Sequence, residues 1–187
     1  HKLLRRSALG TPQGQPGKRL FERADLSVIE EPLLNVWSLR VSRKAGEGAA
    51  PVLAQAGVSA PAAINQYTGD EQLSCAWVEP QAWLILGAGA SALSQAPQRA
   101  GATLLTDISD RVSAIRISGA QAPALLAASG SIVQLLGAGR CARGKFAEDA
   151  EVWLQQLSDA PDYRLLIDSG LARYCAAWLS EAAGLIK

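Results

Sequence analysis

One succession of elements occurs twice along this chain. The segment LRVS…APVLAQAG, from Leu39 to Gly57, and the segment IRISGAQAPALLAASG, from Ile115 to Gly130, each read as a strand, a turn and an alanine-rich helix that contains a proline. Downstream of each lie a strand, a turn that contains a proline, a second strand and a helical segment. The sequence therefore predicts an α+β fold of two pseudo-repeated β-α-β-β-α units, offset by roughly eighty residues.

Apolar periodicity locates the elements of these units. Alternation of apolar and polar residues predicts a half-buried strand at 33–42, and the apolar runs 72–78 and 82–87 predict two strands joined at Glu79–Pro80 as a hairpin. A last helix is predicted by an apolar stripe at helical spacing, formed by Leu171, Tyr174, Cys175, Trp178, Leu179 and Ala182.

The first residues have a different composition. Five basic residues and no acidic residue occur within the first twenty positions, among several glycines and prolines. Such a composition does not supply a hydrophobic core. The sequence therefore predicts that residues 1–32 form an extended basic arm that contacts a partner protein. The α+β domain would follow at 33–187, with its two repeats at about 33–108 and 109–187.

Charge and hydropathy exclude several classes of protein. The chain has 187 residues and a net charge of +1, from 18 basic and 17 acidic side chains, which gives no general electrostatic footprint for nucleic acid or an anionic membrane. No apolar run is long enough to span a bilayer, and the first residues lack the apolar stretch of a signal peptide. We expect a cytoplasmic protein.

The residues that most often carry catalysis or metals are scarce. The three cysteines lie far apart, so they indicate buried free thiols and not a disulfide framework or a zinc site. His1 is the single histidine, which leaves no internal residue for a Ser-His-Asp triad, a Cys-His pair or a histidine-based metal site.

Two glycine motifs suggest nucleotide chemistry, each with a second interpretation. Gly87, Gly89 and Ala92 fit the dinucleotide fingerprint, with Asp107 at the distance of a ribose-binding acid. However, the strand before them is predicted to be the second arm of an antiparallel hairpin, so a plain turn between strand and helix is favoured. GRCARGKF, at 139–146, imitates a phosphate loop but lacks its final hydroxyl residue. A basic loop that faces solvent or a partner is favoured there.

The clustered carboxylates also have two interpretations, acid–base catalysis or solvated surface charge. Asp107 and Asp110 flank a predicted turn with Arg111, and Glu148, Asp149 and Glu151 cluster further on. Paired acids perform acid–base chemistry where their environments separate their pKa values. Solvated charges are the commoner reason for such clusters, so we assign no catalytic, cofactor-binding or metal-binding residue.

Three segments carry a resemblance to a known family. TDISDRVSAIRISGAQAPALL, at 106–126, resembles the pattern T-D-x-S-x-x-x-x-x-x-R-x-S-G-x-x-A-x-x-L-L of the gamma subunits of heterotetrameric sarcosine oxidases, and is similar to the aminomethyltransferase of the glycine cleavage system. EPQAWLILG resembles the P-x-x-W-L-x-x-G of these gamma subunits, and SGLARYCAAWLSEAA resembles their terminal helix. The matching segments are scattered over roughly residues 30–183 and occur in the same order as in the family. At 138–144 the sequence departs from the family's P-P-G-x-C-A-x-T, because its prolines and threonine are replaced while the cysteine–alanine pair is kept. This departure leaves open which enzyme of the family the chain belongs to, and related complexes oxidise other N-methyl amino acids.

The resemblance implies a non-catalytic structural subunit of a flavin-dependent complex that demethylates sarcosine to glycine with O2 and tetrahydrofolate, giving H2O2 and methylene-tetrahydrofolate. Its partners would be the alpha subunit, with NAD and tetrahydrofolate, the beta subunit, with FAD, and the delta subunit, with zinc; FMN would lie between alpha and beta. The alternatives are the equivalent subunit of a related N-methyl amino acid oxidase or dehydrogenase, or a folate-binding module like aminomethyltransferase. The predicted partner contacts are Arg5, Arg6, Asp107, Arg111, Arg140 and Arg143.

Overall fold

The structure, a computed structural model, describes residues 5–42, 49–96, 99–100, 103–130, 137, 139–147 and 150–186. The described strands are β1 Arg19–Arg23, β2 Leu26–Glu31, β3 Val36–Val41, β4 Tyr67–Gly69, β5 Ser74–Glu79, β6 Ala82–Leu86, β7 Arg99–Ala100, β8 Thr103–Asp107, β9 Val112–Ser118, β10 Cys141–Phe146, β11 Ala150–Gln156 and β12 Asp162–Asp168. The described helices are α1 Ala50–Gln55, α2 Ala122–Ala128, α3 Ala172–Leu185 and a 3₁₀ helix at Ala88–Gln95.

The chain divides into two compact units. The terminal unit comprises His1–Leu33, Asp110–Ala138 and Ala142–Lys187, and the central unit comprises Leu34–Ser109 and Gly139–Cys141. Each has its own sheet, and every strand pair of described register is antiparallel. The mixed fold of helices and antiparallel sheets agrees with the predicted α+β class.

The terminal unit packs α2 and α3 beside a sheet of order β1-β2-β9-β12-β11-β10. Alternate residues of the strands, including Ile115 and Leu165, are fully buried with Leu125 of α2 and Leu179 of α3. The ring of Phe146 meets that of Trp178 edge-on, with 5.0 Å between the centroids. Burial of these side chains is the main stabilising contribution to this unit.

The central unit has a sheet of order β4-β5-β6-β3-β8-β7. Its core joins Leu39 of β3 and Ile85 of β6 to Leu53 of α1 and Leu93 of the 3₁₀ helix. On the β5–β6 hairpin, Trp77 and Trp83 are directly opposite and their rings stack at 5.5 Å, an arrangement that stabilises a cross-strand pair. The predicted hairpin at Glu79–Pro80 is confirmed.

The strand orders of the two sheets correspond. The central order β4-β5-β6-β3-β8-β7 has the same plan as β10-β11-β12-β9-β2-β1, in which one strand lies between three consecutive strands and two further strands. The two further strands follow the three consecutive strands in the central unit, whereas they precede β9 in the terminal unit. The origin of the units as copies of one repeat stays a prediction.

The predicted arm at 1–32 is wrong over its second half. Residues 19–31 form β1 and β2, and β2 pairs with β9. Leu26 and Val28 are at most 1% exposed and belong to the core of the terminal unit. The basic composition of the first twenty positions masked the alternation that follows, in which every second residue of β2 faces inward. The boundary at residue 33 therefore separates two units, and does not separate an arm from a domain.

The last helix is confirmed, but its buried face differs from the predicted stripe. Cys175 and Leu179 are fully buried, whereas Leu171 is 38% and Tyr174 is 45% exposed. Alanines complete the buried face, at Ala172, Ala176 and Ala183. Small side chains permit close approach of the helix to the sheet, which turns the bulkier Tyr174 outward. No helix among the described residues is long and apolar enough to cross a membrane.

Candidate functional site

The N-terminal arginines predicted to meet a partner make contacts inside the terminal unit. Arg5 Nε donates to Asp110 Oδ1 at 2.6 Å, an ion pair in which the carboxylate side chain is 85% exposed. Arg6 donates to the carbonyl of Gly10 at 3.3 Å, within a turn closed by the bridge from Arg6 to Pro12. Arg111 is exposed, and its backbone carbonyl accepts from Ser169 N–H.

Asp107 orders a turn in the central unit. Its Oδ1 accepts from Ser109 N–H at 2.9 Å and from the Ser109 hydroxyl at 2.5 Å. Ser109 is buried, and its Oγ accepts from Val36 N–H at 2.9 Å. The carboxylate therefore fixes the end of β8 beside the start of β3, a typical structural use of an Asp-x-Ser sequence.

The basic loop expected at Arg140, Arg143 and Lys145 is in large part a strand, since β10 begins at Cys141. Arg143 pairs with Glu151 of β11, and its guanidinium lies 5.5 Å from the ring centroid of Trp153. This pairing holds the pKa of Glu151 below its usual value. A strand here leaves no helix N-terminus for a phosphate, so the phosphate-loop interpretation is wrong.

The six predicted contacts are therefore distributed over both units. Arg5, Arg6, Arg111 and Arg143 belong to the terminal unit, and Asp107 and Arg140 belong to the central unit. The hydrogen bonds and ion pairs described above each join one of these six residues to a residue outside the set. Their contact with a partner stays a prediction.

The glycines of the dinucleotide-like motif pack against the chain itself. Gly87 has a φ of 116°, and a Cβ there would lie 2.2 Å from the carbonyl oxygen of Gln72. Gly89 donates its N–H to the same carbonyl at 2.9 Å. Since backbone already fills the space beside Gly87, the motif is a tight turn between β6 and the 3₁₀ helix. β6 is also antiparallel to both its neighbours, β3 and β5, unlike the parallel strand of a dinucleotide fold.

The predicted free and buried state of the cysteines is confirmed. Burial raises the pKa of Cys75 and of Cys141 to about 12, and that of Cys175 to about 11. Thiols with such pKa values stay protonated at neutral pH and are poor nucleophiles. The described residues contain no group of three or more His, Cys, Asp or Glu side chains placed to hold a metal.

Two arginine–carboxylate pairs on the terminal sheet were not found by sequence reasoning. Arg164 of β12 donates from Nε and Nη2 to the two carboxylate oxygens of Glu31, at 2.6 and 2.9 Å. Arg116 of β9 binds Asp162 in the same two-point manner, at 2.9 and 2.6 Å. Arg164 is almost fully buried, so the Glu31 carboxylate is a necessary partner. The alternation of β12 marks residue 164 as facing one side of the sheet, but gives no sign of its partner.

A basic groove is the second feature that the sequence analysis missed. It lies in the terminal unit between β1 and α3, and Lys18, Arg19 and Arg173 are among its lining residues. Lys18 and Arg19 are two of the five basic residues among the first twenty positions, but Arg173 comes from an exposed helical position more than 150 residues further along the chain. Only the packing of α3 beside β1 assembles the three cations. Chemically the arrangement favours binding of negative charge.

The sequence matches no protein-family model and no curated protein sequence. Among solved structures, the chain is similar to a chain of heterotetrameric sarcosine oxidase from Corynebacterium sp. U-96, solved with pyrrole 2-carboxylate. The TM-score is 0.70 at 21% identity, over 88% of this chain and 86% of that one. It is also similar to glycine cleavage system aminomethyltransferase T from Bartonella henselae, with a TM-score of 0.63 at 15% identity, over 84% of this chain and 46% of that one. The chain thus spans about half of the transferase. In fold, it is similar to both a chain of a heterotetrameric sarcosine oxidase and an aminomethyltransferase.

Proposed function

We propose that this chain is the non-catalytic structural gamma subunit of a heterotetrameric, flavin-dependent sarcosine oxidase complex. The observation that carries the proposal is the end-to-end likeness to a chain of such an oxidase, over 88% of one and 86% of the other. The match to the aminomethyltransferase covers 46% of that longer chain. The likeness to the oxidase chain is also greater in TM-score and in identity, 0.70 and 21% against 0.63 and 15%, which favours the oxidase subunit.

Under this proposal the chemistry belongs to the partners. The complex oxidises sarcosine to glycine in the cytoplasm with O2 and tetrahydrofolate, and releases H2O2 and methylene-tetrahydrofolate. The alpha subunit binds NAD and tetrahydrofolate, the beta subunit binds FAD, FMN lies between them, and the delta subunit binds zinc.

The polar groups of the described residues support a structural role. Asp107 orders a turn, Glu31 and Asp162 pair with arginines, and Glu151 pairs with Arg143. The Arg143 guanidinium lowers the pKa of Glu151, so this carboxylate keeps its negative charge and is a poor proton donor. The buried thiols are poor nucleophiles for the reason given above.

Native purification tests the proposal. The complex is isolated from cells that produce the chain with its natural neighbours, and its mass and visible spectrum are recorded. We expect a species far larger than the 19.6 kDa of this chain, with flavin absorbance. A soluble, colourless monomer that stays separate from flavoprotein in the same cells would contradict the proposal.

Two alternatives are tested by the same material. The equivalent subunit of a related N-methyl amino acid oxidase or dehydrogenase would give a flavin complex that prefers another N-methyl amino acid, or an acceptor other than O2. A folate-binding module is favoured by the likeness to the aminomethyltransferase. Titration of the isolated chain with tetrahydrofolate tests it, and absence of binding at high micromolar concentration would remove it.

A further inference from the structure

Two adjoining cavities form one open groove on the terminal unit. The first has a volume of about 440 Å³ and lies between β1 and α3. The second has a volume of about 510 Å³ and lies against the turn that contains Gly10 and Pro12. Leu9 and Lys18 line both, so the groove continues from α3 to the N-terminal turn.

The groove combines an apolar floor with a cationic rim. Apolar surface comes from Leu9, Leu20 and the Ala176–Ala177 segment of α3, and continues along Pro12 and Pro16. Positive charge comes from Lys18, Arg19 and Arg173. Of the described residues that line the two cavities, none is acidic. The surface therefore favours an occupant that is both negatively charged and partly apolar.

These cations keep most of their binding capacity. Toward the part of the chain that the structure describes, the Arg173 side chain donates from Nε alone, to the carbonyl of Ala8 at 3.2 Å. Arg19 faces Glu22 at 3.5 Å in a pair whose side chains are 69% and 45% exposed, and such exposed pairs are weak. Lys18 has an exposed side chain that joins no ion pair within the described part of the chain. Their positive charge is thus available to a ligand.

Hydrogen bonds hold the walls of the groove in place. The hydroxyl of Ser180 on α3 donates to the carbonyl of Leu20 on β1 at 2.6 Å, which fixes the helix beside the edge strand. Thr11 Oγ1 donates to Glu30 Oε2 at 2.5 Å, and Lys18 N–H donates to the same oxygen at 3.2 Å. Because these walls are fixed before binding, an occupant does not have to order them.

We propose that this groove binds an extended acidic segment of a partner subunit, in which carboxylates alternate with apolar side chains. The inference rests on the proposed function, since a partner subunit supplies the segment. An extended chain suits the two joined cavities, because its carboxylates reach the rim while its apolar side chains contact Leu9, Leu20 and the alanines of α3. The groove is open along its length, which suits a peptide better than an enclosed small molecule.

A synthetic peptide tests the chemistry of the groove on the full chain. The probe is a fluorescein-labelled peptide of Glu, Leu, Ser and Gly, and its control has Lys at each Glu position. We expect the acidic peptide to bind at low salt, more weakly as salt rises, and the basic peptide not to bind. The double variant Lys18→Glu/Arg173→Glu should weaken binding of the acidic peptide by about tenfold or more and gain binding of the basic peptide.

A matched single variant controls for the change of charge. Arg40→Glu changes an arginine outside the groove whose side chain is 63% exposed, and should leave the affinity unchanged, whereas Arg173→Glu alone should already weaken it. If the groove double variant loses its native circular dichroism spectrum, Lys18→Gln/Arg173→Gln takes its place. Equal binding of the two peptides, or equal loss in the control, would overturn the proposal.

The native complex separates this inference from the proposed function. If both hold, the groove double variant dissociates from the flavoprotein at moderate salt while the control variant stays bound. If the chain purifies with flavoprotein and the groove variant stays bound like the wild type, the assignment of the groove to a partner segment is wrong and the proposed function stands. If the chain purifies with no flavoprotein, the proposed function fails, and with it the partner segment, even where the peptide binds.

Discussion

In the terminal unit, two-point arginine–carboxylate pairs join the strands of the sheet, whereas in the central unit a buried serine hydroxyl, held by an aspartate two residues before it, joins two strands. Arg164 of β12 reaches across β9 to Glu31 at the end of β2. In the central sheet, Ser109 links the end of β8 to Val36 at the start of β3. The two sheets share a strand order but differ in the side chains that hold their neighbouring strands together.

In both sheets the joined strands are far apart along the chain. β2 precedes its neighbour β9 by about eighty residues, and β3 precedes β8 by more than sixty. An error of one residue in the register of β2 would turn its apolar residues to the other face. A two-point ion pair is strongly directional and disfavours such a slip. Matching topology therefore reflects the apolar pattern, while the polar contacts are particular to each sheet.

The largest loss of stability is expected when the buried guanidinium of Arg164 is removed. Arg164→Ala leaves the Glu31 carboxylate, whose side chain is 21% exposed, without its partner, so we expect the free energy of unfolding to fall by about 3–5 kcal/mol. In the central unit Arg40→Ala removes an exposed pair with Glu79 at 3.8 Å and should cost less than about 1 kcal/mol. Denaturant unfolding measures both, and equal losses would remove the distinction between the two sheets.

The second effect tests whether the N-terminal strands belong to the core. Leu26 of β2 is 1% exposed, and truncation of a buried leucine costs about 2–5 kcal/mol. We expect Leu26→Ala to lie in that range, and Ile64→Ala, at a side chain that is 42% exposed, to stay within about 0.5 kcal/mol of the wild type. The midpoint of urea unfolding compares them. If Leu26→Ala left the midpoint of urea unfolding unchanged, residues 19–31 would be an arm outside the core, as the sequence first predicted.

A smaller loss is expected at the hydroxyl of the central unit. Ser109→Ala removes the acceptor for Val36 N–H at the buried end of the sheet, and an unsatisfied buried donor costs about 1–3 kcal/mol. Ser91→Ala changes an exposed serine of the 3₁₀ helix and serves as the control. Thermal unfolding followed by circular dichroism distinguishes the two. A loss at Ser109 as large as that at Arg164 would mean that both sheets depend equally on their polar contacts.

The smallest effect on stability at neutral pH is expected from the three buried thiols. Burial raises the pKa values of Cys75 and Cys141 to about 12 and that of Cys175 to about 11, from about 9 for a thiol in water. Because the folded state favours the protonated thiol, this stabilisation is complete below pH 9 and is lost as pH rises from about 9 toward 12. We expect a chromogenic disulfide reagent at pH 8 to leave the native thiols intact and to modify all three after unfolding.

Single variants test the thiols one at a time. Stability should fall with alkaline pH less steeply in Cys75→Ser and in Cys175→Ser than in the wild type, because each variant removes one thiol whose pKa is raised in the folded state. Rapid reaction of a native thiol at pH 8 would contradict the buried, protonated state.

Local pattern was sufficient for several elements and insufficient for others. The apolar runs around β5 and β6, with Glu79–Pro80 between them, predicted the hairpin because its signals lie within a few residues. The same reasoning placed Arg140, Arg143 and Lys145 in a loop, although β10 is a short strand at the edge of its sheet. Charged residues are common on edge strands because one side of such a strand has no neighbour, so its composition does not distinguish it from a loop.

The sequence by itself determined the α+β class, the buried free thiols and the last helix, since each depends on residues near one another or on simple counts. Tertiary structure alone decided that residues 19–31 complete a sheet, that Glu31 meets Arg164, and that Lys18, Arg19 and Arg173 surround one groove. Those juxtapositions join segments more than 80 residues apart. Periodicity specifies which face of an element is buried, but it carries no information about which distant element covers that face.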